Sequence, residues 1–302
     1  MNDRRDFEVI IIGGSYAGLS AAMALGRFLR DVLLIDSGLP CNRQTPRSHN
    51  FLTQDGVPPA MIGKRAKSQV LNYPTIKFLN DQAVSGAQNG KGFVITTRSN
   101  QEYSAQKLIF ATGIKDMLPA INGFAQCWGI SVIHCPYCHG YEYHHQKTGI
   151  WANGAKALHL ASLVKHLSGH LTLLTSGKAD FNAEQMATLN KYHIEIIESP
   201  IVEIEHQNGF LQNVLFEDGV KENFSALYAA IPFTQHCDIP ASLGCEITDE
   251  GYLKIDNWQA TTIPGVFACG DNTATMRSVA SAVYTGNLTG AMVNKALIDE
   301  RF

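Results

Sequence analysis

The sequence has no long apolar run, few cysteines and no excess of one charge, and each absence excludes a class of protein. Its apolar runs stop well short of the roughly 18 residues that a membrane-spanning helix needs. The net charge is −3 at pH 7 without a block of five or six like charges, so neither a nucleic-acid nor a membrane partner is indicated. Seven cysteines in 302 residues are too few for a disulfide framework. A hydrophobic share of 45% instead indicates a globular protein with a sizeable core.

The N-terminus lacks the features of a signal peptide. Its charged opening leads directly into a short apolar strand and then glycine, without the apolar segment and the small-residue cleavage site of a secretory signal. We therefore expect a domain to begin here and the protein to be cytoplasmic. Five cysteines, at positions 41, 127, 237, 245 and 269, are expected to be small buried hydrophobic residues.

The first 36 residues follow the strand, glycine turn, helix, strand and acid order of a dinucleotide-binding βαβ unit. Gly13 makes the tight turn after the first strand, and Gly18 lets the helix approach that strand. The second strand, Val32–Ile35, ends at Asp36, which can accept hydrogen bonds from ribose hydroxyls. Ser15 replaces the middle glycine of the usual G-x-G-x-x-G pattern, so we expect the backbone to approach a phosphate slightly less closely.

Later motifs fit the same nucleotide-binding pattern. Residues 92–98 and 101–112 predict a hairpin that ends in an Ala-Thr-Gly run. Towards the C-terminus a short strand is followed by Gly270 and Asp271 and then by a helical pattern over 277–297. An acidic residue at a strand end beside a helix N-terminus suits a polyol chain and an anionic ring edge.

Together these motifs resemble, over nearly the whole chain, the low-molecular-weight thioredoxin reductase family of FAD-linked disulfide oxidoreductases. The resemblance implies an α/β fold of two Rossmann-like (three-layer ββα) nucleotide-binding domains, the second inserted into the first. Residues 1–116 and 234–302 would form the discontinuous FAD-binding domain, and 117–233 the NAD(P)H-binding-like domain. A second strand, turn, helix and strand pattern at 149–174 agrees with an inserted copy of the first unit. The family also implies a homodimer.

The resemblance further implies FAD as the cofactor and a set of residues that hold it. The first glycine turn and Asp36 would bind the ADP half, the Ala-Thr-Gly run would lie near the pyrophosphate, and Asp271 would bind the ribityl hydroxyls. The expected FAD-binding residues are Gly13, Gly14, Ser15, Ala17, Gly18, Asp36, Asn50, Val84, Ala111, Thr112, Gly113, Gly270, Asp271, Ser278 and Val279.

Cys135-Pro-Tyr-Cys138 has a spacing that fits three chemistries. A C-x-x-C pair is the spacing of a redox dithiol, C-x-x-C-H is a c-type haem attachment sequence, and nearby histidines could complete a zinc site. Haem attachment requires export and zinc requires a second ligand pair, whereas Pro136 favours a helix start that would stabilise a thiolate. The dithiol is therefore favoured over zinc, haem and inert thiols. The resemblance implies that Cys138 lies against the flavin and that Cys135 meets the external thiol.

His139 follows the pair directly, where reductases of the thioredoxin type usually carry Asp. A histidine titrates near neutrality, so we expect His139 to be the acid/base of the thiol exchange, with simple packing as the alternative. Glu142 is a weaker candidate for this role. His134, His144 and His145 are expected to be solvated or structural, and no bound metal is expected.

The second βαβ pattern lacks two features of an NADPH site. Ala152 stands where the first turn glycine is expected, and Thr175-Ser-Gly177 stands where the family carries a basic cluster, which leaves only Lys178. Loss of bidentate arginine contacts to a phosphate weakens binding by about two orders of magnitude. We therefore expect the fold to be kept and tight NADPH binding to be lost.

The sequence thus predicts an FAD-dependent thiol–disulfide oxidoreductase of the thioredoxin reductase type without tight NADPH binding. Its partner would be a thioredoxin-like protein or a small-molecule dithiol or disulfide, with ferredoxin as another candidate donor. Three alternatives stay open: an ordinary NADPH-dependent thioredoxin reductase, a dithiol oxidase that passes electrons to oxygen, and a non-enzymatic flavoprotein redox sensor.

Overall fold

A computed structural model describes residues 5–90 and 92–302. The residues before position 5, where we expected a domain to begin, therefore lie outside the described residues. The chain divides into two compact units. The first holds the N-terminal segment up to Arg43 together with Phe51–Lys115 and Phe233–Phe302, and the second holds Gln44–Asn50 and Asp116–Pro232.

The elements alternate between strands and helices in both units, as expected for an α/β protein. The strands are β1 (Asp6–Ile12), β2 (Val32–Asp36), β3 (Ile76–Asn80), β4 (Ala83–Asn89), β5 (Gly92–Thr97), β6 (Glu102–Phe110), β7 (Ile114–Asp116), β8 (Val132–Ile133), β9 (Thr148–Trp151), β10 (Leu171–Leu174), β11 (Glu195–Ile197), β12 (Ile201–Gln207), β13 (Phe210–Phe216), β14 (Lys221–Asn223), β15 (Ala226–Ala229), β16 (Phe233–Gln235) and β17 (Val266–Ala268). The helices are α1 (Tyr16–Arg27), α2 (Pro59–Val70), α3 (Phe124–Cys127), α4 (Pro136–His139), α5 (Gly154–Val164), α6 (Ala183–Lys191), α7 (Ile239–Ser242) and α8 (Val279–Asp299).

The first unit is built on a sheet with β1 near its centre. Its order is β3-β2-β1-β6-β5-β4, and β17 pairs with β6. Strands β1, β2, β3, β6 and β17 are parallel, whereas β5 pairs antiparallel with β6 and confirms the predicted hairpin. Val9 and Ile11 of β1 face the core under α1 and α8, and Ile10 and Ile12 face a second core on the other side. A strand buried on both faces explains the continuous β-branched run.

The second unit repeats this arrangement on a smaller scale. Its parallel sheet has the order β11-β10-β9-β15-β8, beside a three-stranded antiparallel sheet β12-β13-β14. The pair β9 and β10 is parallel and is joined by α5, so the βαβ unit predicted at 149–174 is confirmed. Two Rossmann-like units with the second inserted into the first are the predicted fold class. Within the described residues, no helix combines the length and apolar character needed to cross a bilayer.

Helices α1 and α8 pack closely because glycines of α8 face the backbone of α1. A Cβ added at Gly286 would overlap the carbonyl oxygen of Ala17, and one at Gly290 would lie 2.6 Å from the carbonyl oxygen of Ala21. The hydroxyl of Ser20 on α1 also donates a hydrogen bond to the carbonyl of Val283, at 2.7 Å. This contact fixes the register of the two helices, with the start of α1 packed against Gly286 in α8.

We expect Gly286→Ala to destabilise the protein because its methyl group cannot fit against the α1 backbone. Overpacking of this kind costs about 1–3 kcal/mol in the free energy of unfolding. Gly63→Ala on α2 is the matched control, since no atom lies within 4 Å of its added Cβ. The control should gain about 0.5–1 kcal/mol from reduced chain entropy. Urea unfolding measures both, and equal stabilities would contradict the close-packing argument.

Candidate functional site

The turn after β1 is a cradle that only glycines can form. Gly13 has a φ of +105°, and an added Cβ would overlap the carbonyl group of Ala111. A Cβ at Gly14 would lie 2.7 Å from the Cβ of Asp36, and one at Gly18 would overlap the carbonyl oxygen of Gly13. The glycines therefore let the turn pack against the ends of β2 and β6 and against the start of α1 at distances that no side chain allows.

Asp36 ends β2 with both carboxylate oxygens fixed by backbone donors. Oδ1 accepts a hydrogen bond from the N–H of Gly14 at 2.9 Å, and Oδ2 accepts one from the N–H of Gly38 at 3.1 Å. Ser15 occupies the N-cap of α1 without a side-chain capping bond, and the first turn has no acidic residue. The amides at this helix start are thus suited to an anion, with a carboxylate held beside them.

A buried asparagine joins the end of β6 to the loop after β17. Asn272 is fully buried, and its Nδ2 donates to the carbonyl of Phe110 at 2.9 Å and to Oγ1 of Thr112 at 3.3 Å. Its Oδ1 is buried without a hydrogen-bond partner in the structure. The sequence analysis missed this residue, although its place directly after Gly270-Asp271 is a signal that could have identified it.

The start of α8 lies in the same part of the unit. Ser278 is its N-cap and accepts a hydrogen bond from the N–H of Ser281 at 3.1 Å, and the first turn of α8 has no acidic residue. Gly270 has a φ of +86°, and its added Cβ would lie 3.0 Å from the Cβ of Ala17. Neither α1 nor α8 has an acidic residue in its first turn, and Gly270, in the loop before α8, packs close to Ala17 at the start of α1.

The remaining predicted FAD-binding residues occupy varied positions. Ala111 is buried, Thr112 and Gly113 are half-buried, and Gly113 has a φ of +64°. Val84 lies on β4 with half of its side chain exposed. Asn50 is exposed, has a φ of +57° and groups with the second unit. The roles of these residues stay predictions.

The first unit has the chemistry that FAD requires. Its glycine turn and helix starts without acidic residues in the first turn suit a pyrophosphate, and Asp36 and Asp271 have carboxylates of the kind that accept hydrogen bonds from sugar and ribityl hydroxyls. The unsatisfied buried oxygen of Asn272 is an acceptor next to the same cradle. These residues fit the cofactor.

The second unit carries the cysteine pair as a disulfide. Cys135 and Cys138 are bonded, with their Cα atoms 5.3 Å apart. Cys135 is the N-cap of α4, and Pro136 opens that helix as expected. The N–H groups of Cys138 and His139 both donate to the carbonyl of Cys135, at 3.2 and 3.3 Å. A tight ring of this size is what a reversible dithiol needs.

The five other cysteines differ in exposure. Cys127, Cys245 and Cys269 are buried and Cys237 is half-buried, which agrees with a packing role. Burial raises the pKa of the Cys269 thiol to about 12, so it is inert at neutral pH. Cys41 is exposed, and the expectation of burial was wrong for this residue, because it lies in the irregular segment after β2 where no layer covers it.

His139 is present as the neutral imidazole at neutral pH. Burial, and then the like charge of His49, lower its pKa to about 4. The expected titration near neutrality is therefore wrong, because the sequence does not show how strongly the ring is desolvated. Below neutral pH the ring stays a proton acceptor until about pH 4.

His49 lies next to this site, although it is distant in sequence. Its Nε2 is 3.3 Å from Oε1 of Glu142. The sequence analysis missed it because nothing in its neighbourhood of the chain points to thiol chemistry. His144 stacks on Tyr141 with ring centroids 4.9 Å apart, and both His144 and His145 are exposed, as expected. No group of three or more His, Cys, Asp or Glu side chains in the described part of the chain is placed to hold a metal.

The second nucleotide turn is covered by the chain itself. Oδ1 of Asn153 accepts from the N–H groups of Gly154 and Asp180 at 2.8 and 2.9 Å, and its Nδ2 donates to the carbonyl of Lys178 at 2.9 Å. An added Cβ at Gly154 would lie 3.3 Å from the carboxylate of Asp180. The loop 175–180 is thus fastened to the start of α5, and the carboxylate of Asp180 lies beside Gly154 there.

Two further contacts hold this loop in place. The indole N–H of Trp151 donates to Oγ of Ser176 at 2.8 Å, and the N–H of Ala179 donates to Oε1 of Glu198 at 2.7 Å. The contacts at this strand end are thus made by the neutral Ser176 and the acidic Glu198, and Lys178 is the one basic residue of the loop.

Comparisons with known proteins agree with this geometry. The sequence profile of the pyridine nucleotide-disulphide oxidoreductase family matches residues 7–286. The chain is 31% identical to thioredoxin reductase tcpT of Claviceps purpurea, over 96% of this chain and 94% of the relative. It is 30% identical to thioredoxin reductase sirT of Leptosphaeria maculans, over 95% and 93%. The crystal structure of an oxidoreductase from Agrobacterium tumefaciens matches with a TM-score of 0.91 at 35% identity, over 97% of this chain and 99% of that chain.

We expect Asp36→Ala to weaken FAD binding because it removes an acceptor for the ribose and releases the Gly14 amide. The loss of a charge-assisted hydrogen bond of this kind raises the dissociation constant about tenfold or more. The measurement is titration of FAD into the apoprotein, followed by protein fluorescence. Asp249→Ala, at an exposed acid in a turn of the same unit, is the control. Equal affinities for the two variants would count against the role of Asp36.

Proposed function

The chain belongs to the pyridine nucleotide-disulphide oxidoreductase family, and we propose that it exchanges electrons between a thiol substrate and FAD through Cys135 and Cys138. It is a flavin-dependent disulfide oxidoreductase of the thioredoxin reductase type. The observation that carries the proposal is the Cys135–Cys138 disulfide at the start of a short helix that ends at His139. This assignment takes the dithiol in preference to zinc, haem or inert thiols.

Each unit has a distinct part in this proposal. The FAD-binding domain is 1–116 with 234–302, and 117–233 is the inserted domain that carries the redox pair. The glycine cradle, Asp36, Asp271 and the start of α8 would hold the cofactor. When bound, FAD supplies a two-electron acceptor or donor, which matches the two electrons of a dithiol and disulfide couple.

The exchange at the cysteine pair balances without a further reagent. A substrate thiolate attacks Sγ of Cys135, the Cys135–Cys138 bond breaks, and Cys138 leaves as a thiolate. A second substrate thiolate attacks the mixed disulfide, which closes the substrate disulfide and releases Cys135. Two electrons have then moved from the substrate to the protein dithiol. His139 is neutral at working pH and accepts the proton of an incoming thiol.

The partner is a thioredoxin-like protein or a small-molecule dithiol or disulfide. The relatives from Claviceps purpurea and Leptosphaeria maculans are named thioredoxin reductases, which supports a thioredoxin-like partner. Oxidation of a dithiol with oxygen as the final acceptor is kept as a second candidate function on the resemblance of the C-x-x-C-H-G-Y-E sequence to dithiol oxidases. On the family resemblance we also propose ferredoxin as a candidate electron donor, a homodimeric assembly and a cytoplasmic location.

The proposed activity does not depend on tight NADPH binding. The loop 175–180 occupies the approach to the α5 turn through its bonds to Asn153, and Asp180 adds a negative charge there. A dinucleotide would have to displace the loop and overcome repulsion between this carboxylate and its own phosphates. An ordinary NADPH-dependent reductase is the less favoured assignment for this reason.

We expect the cysteine pair to be required for thiol-driven reduction of the flavin. Cys135→Ser and Cys138→Ser should each abolish bleaching of the flavin band by an added dithiol under anaerobic conditions, with FAD content unchanged. His139→Asn should slow the same reaction by about 10²-fold, because the proton acceptor is lost. Cys237→Ser, at a half-buried cysteine outside the pair, serves as the control. Full activity in either pair variant would reject the proposed exchange. It would also leave nothing to distinguish this enzyme from a protein that only senses redox state.

We expect NADPH to be a slow electron donor compared with a dithiol. Asp180→Ala should improve residual NADPH binding by about fivefold, because about 1 kcal/mol of charge repulsion at a helix start is removed. The measurement is anaerobic stopped-flow reduction of the flavin over a range of NADPH concentrations. Glu217→Ala, at an exposed turn of the same unit, is the matched control. Rapid reduction of the flavin in the unaltered protein by micromolar NADPH would show instead that the protein is an ordinary NADPH-dependent reductase.

A further inference from the structure

The segment 37–43, which we call the strap, follows β2 as irregular chain that ends in a turn. Every residue of the strap is exposed except Asn42, which is half-buried. The turn is closed by the N–H of Arg43, which donates to the carbonyl of Pro40 at 3.2 Å. A segment with so little buried surface is held in place by a few polar contacts, and each of these contacts matters for its position.

The strap contacts both carboxylates that are assigned to FAD. The N–H of Gly38 donates to Oδ2 of Asp36 at 3.1 Å. Further along the strap, Sγ of Cys41 lies 3.9 Å from Oδ2 of Asp271. Asp36 is expected to bind the ribose of the ADP half, and Asp271 the ribityl hydroxyls. The strap therefore joins the residues assigned to the two halves of the cofactor.

Tyr16, the first residue of α1, holds the half-buried residue of the strap. Nδ2 of Asn42 donates to the hydroxyl of Tyr16 at 3.3 Å, and this hydroxyl donates in turn to the carbonyl of Pro59 at 3.4 Å. Burial raises the pKa of Tyr16, so the hydroxyl stays protonated and can make both contacts. Pro59 is buried at the start of α2, so the hydroxyl is fixed to a packed part of the first unit.

The hydroxyl of Tyr16 has no part in forming the glycine turn. The aromatic ring packs against the core that α1 covers, and this contact does not involve the hydroxyl. The turn itself is shaped by the close approach of Gly13 and Gly18 to neighbouring backbone. Removal of the hydroxyl alone therefore leaves the turn and the core intact and releases the strap.

We propose that Tyr16 is a positioning residue for FAD, whose hydroxyl holds Asn42 and so keeps the strap against Asp36 and Asp271. This inference rests on the assignment of the two carboxylates to the cofactor. While the strap is held, FAD leaves only after the bond between Tyr16 and Asn42 has opened. Contacts of this kind act mainly on the rate of dissociation, so the bond slows release of the cofactor.

The test is the rate of FAD release from the loaded protein, followed by the rise in flavin fluorescence after dilution. Tyr16→Phe removes only the hydroxyl and should speed release about fivefold, as expected for the loss of one neutral hydrogen bond. The rate at which the apoprotein binds FAD should not fall, because the glycine turn and Asp36 are unchanged. Tyr73→Phe is the matched control, since its hydroxyl also accepts a hydrogen bond at 3.3 Å, from Arg27 at the other end of α1.

A second variant separates release of the strap from a general defect. Asn42→Ala should also speed release, and Tyr16→Phe should add nothing in the Asn42→Ala background, because its partner is then absent. An unchanged release rate in Tyr16→Phe, or effects of the two substitutions that multiply, overturns the inference. So does slower binding of FAD by the Tyr16→Phe apoprotein, which would show a damaged site. These measurements need no thiol, so their failure is distinct from failure of the cysteine variants, which reports on the proposed exchange.

Discussion

The close approach of α1 to the turn after β1 and to α8 determines the geometry of the first unit. Gly18 lies against the carbonyl of Gly13, and Gly286 lies against the carbonyl of Ala17, at separations that no side chain allows. Because both contacts are made by backbone atoms, neither can relax by a change of rotamer. The turn after β1, the start of α1 and the middle of α8 are therefore held in a fixed arrangement.

The second unit shows the same βαβ element with a different result. The sheet order around β9 and β10 repeats that around β1 and β2, so the backbone framework is kept. What differs is the loop that follows the second strand. In the first unit the second strand ends at Asp36, whose carboxylate accepts a hydrogen bond from the N–H of Gly14 in the turn. In the second unit the loop 175–180 follows the second strand, and Asn153 in the turn binds this loop directly. Hydrogen bonds within the chain thus hold this loop against the start of α5.

Chemistry at the cysteine pair depends on groups that come from separate parts of the chain. Cys135 and Cys138 obtain their spacing and their position at a helix start from four consecutive residues. The proton state of His139 depends on burial and on His49, which is ninety residues earlier in the sequence. Local sequence could therefore identify the pair, but it could not show whether the histidine beside it acts as an acid or as a base at neutral pH.

The sequence by itself determined the features that arise within short segments. Glycine spacing at 13 and 18 with Asp36 predicted the first βαβ unit, and Pro136 predicted the start of α4, because a glycine turn depends on a few consecutive residues and the φ of proline is fixed by its own ring. Tertiary structure decided the features that depend on long-range packing: the buried Asn272 bridging β6, the exposure of Cys41, the pairing of His49 with Glu142 and the position of Asp180 beside Gly154. Burial and charge at these residues are set by neighbours distant along the chain, and a pattern of adjacent residues contains no information about them.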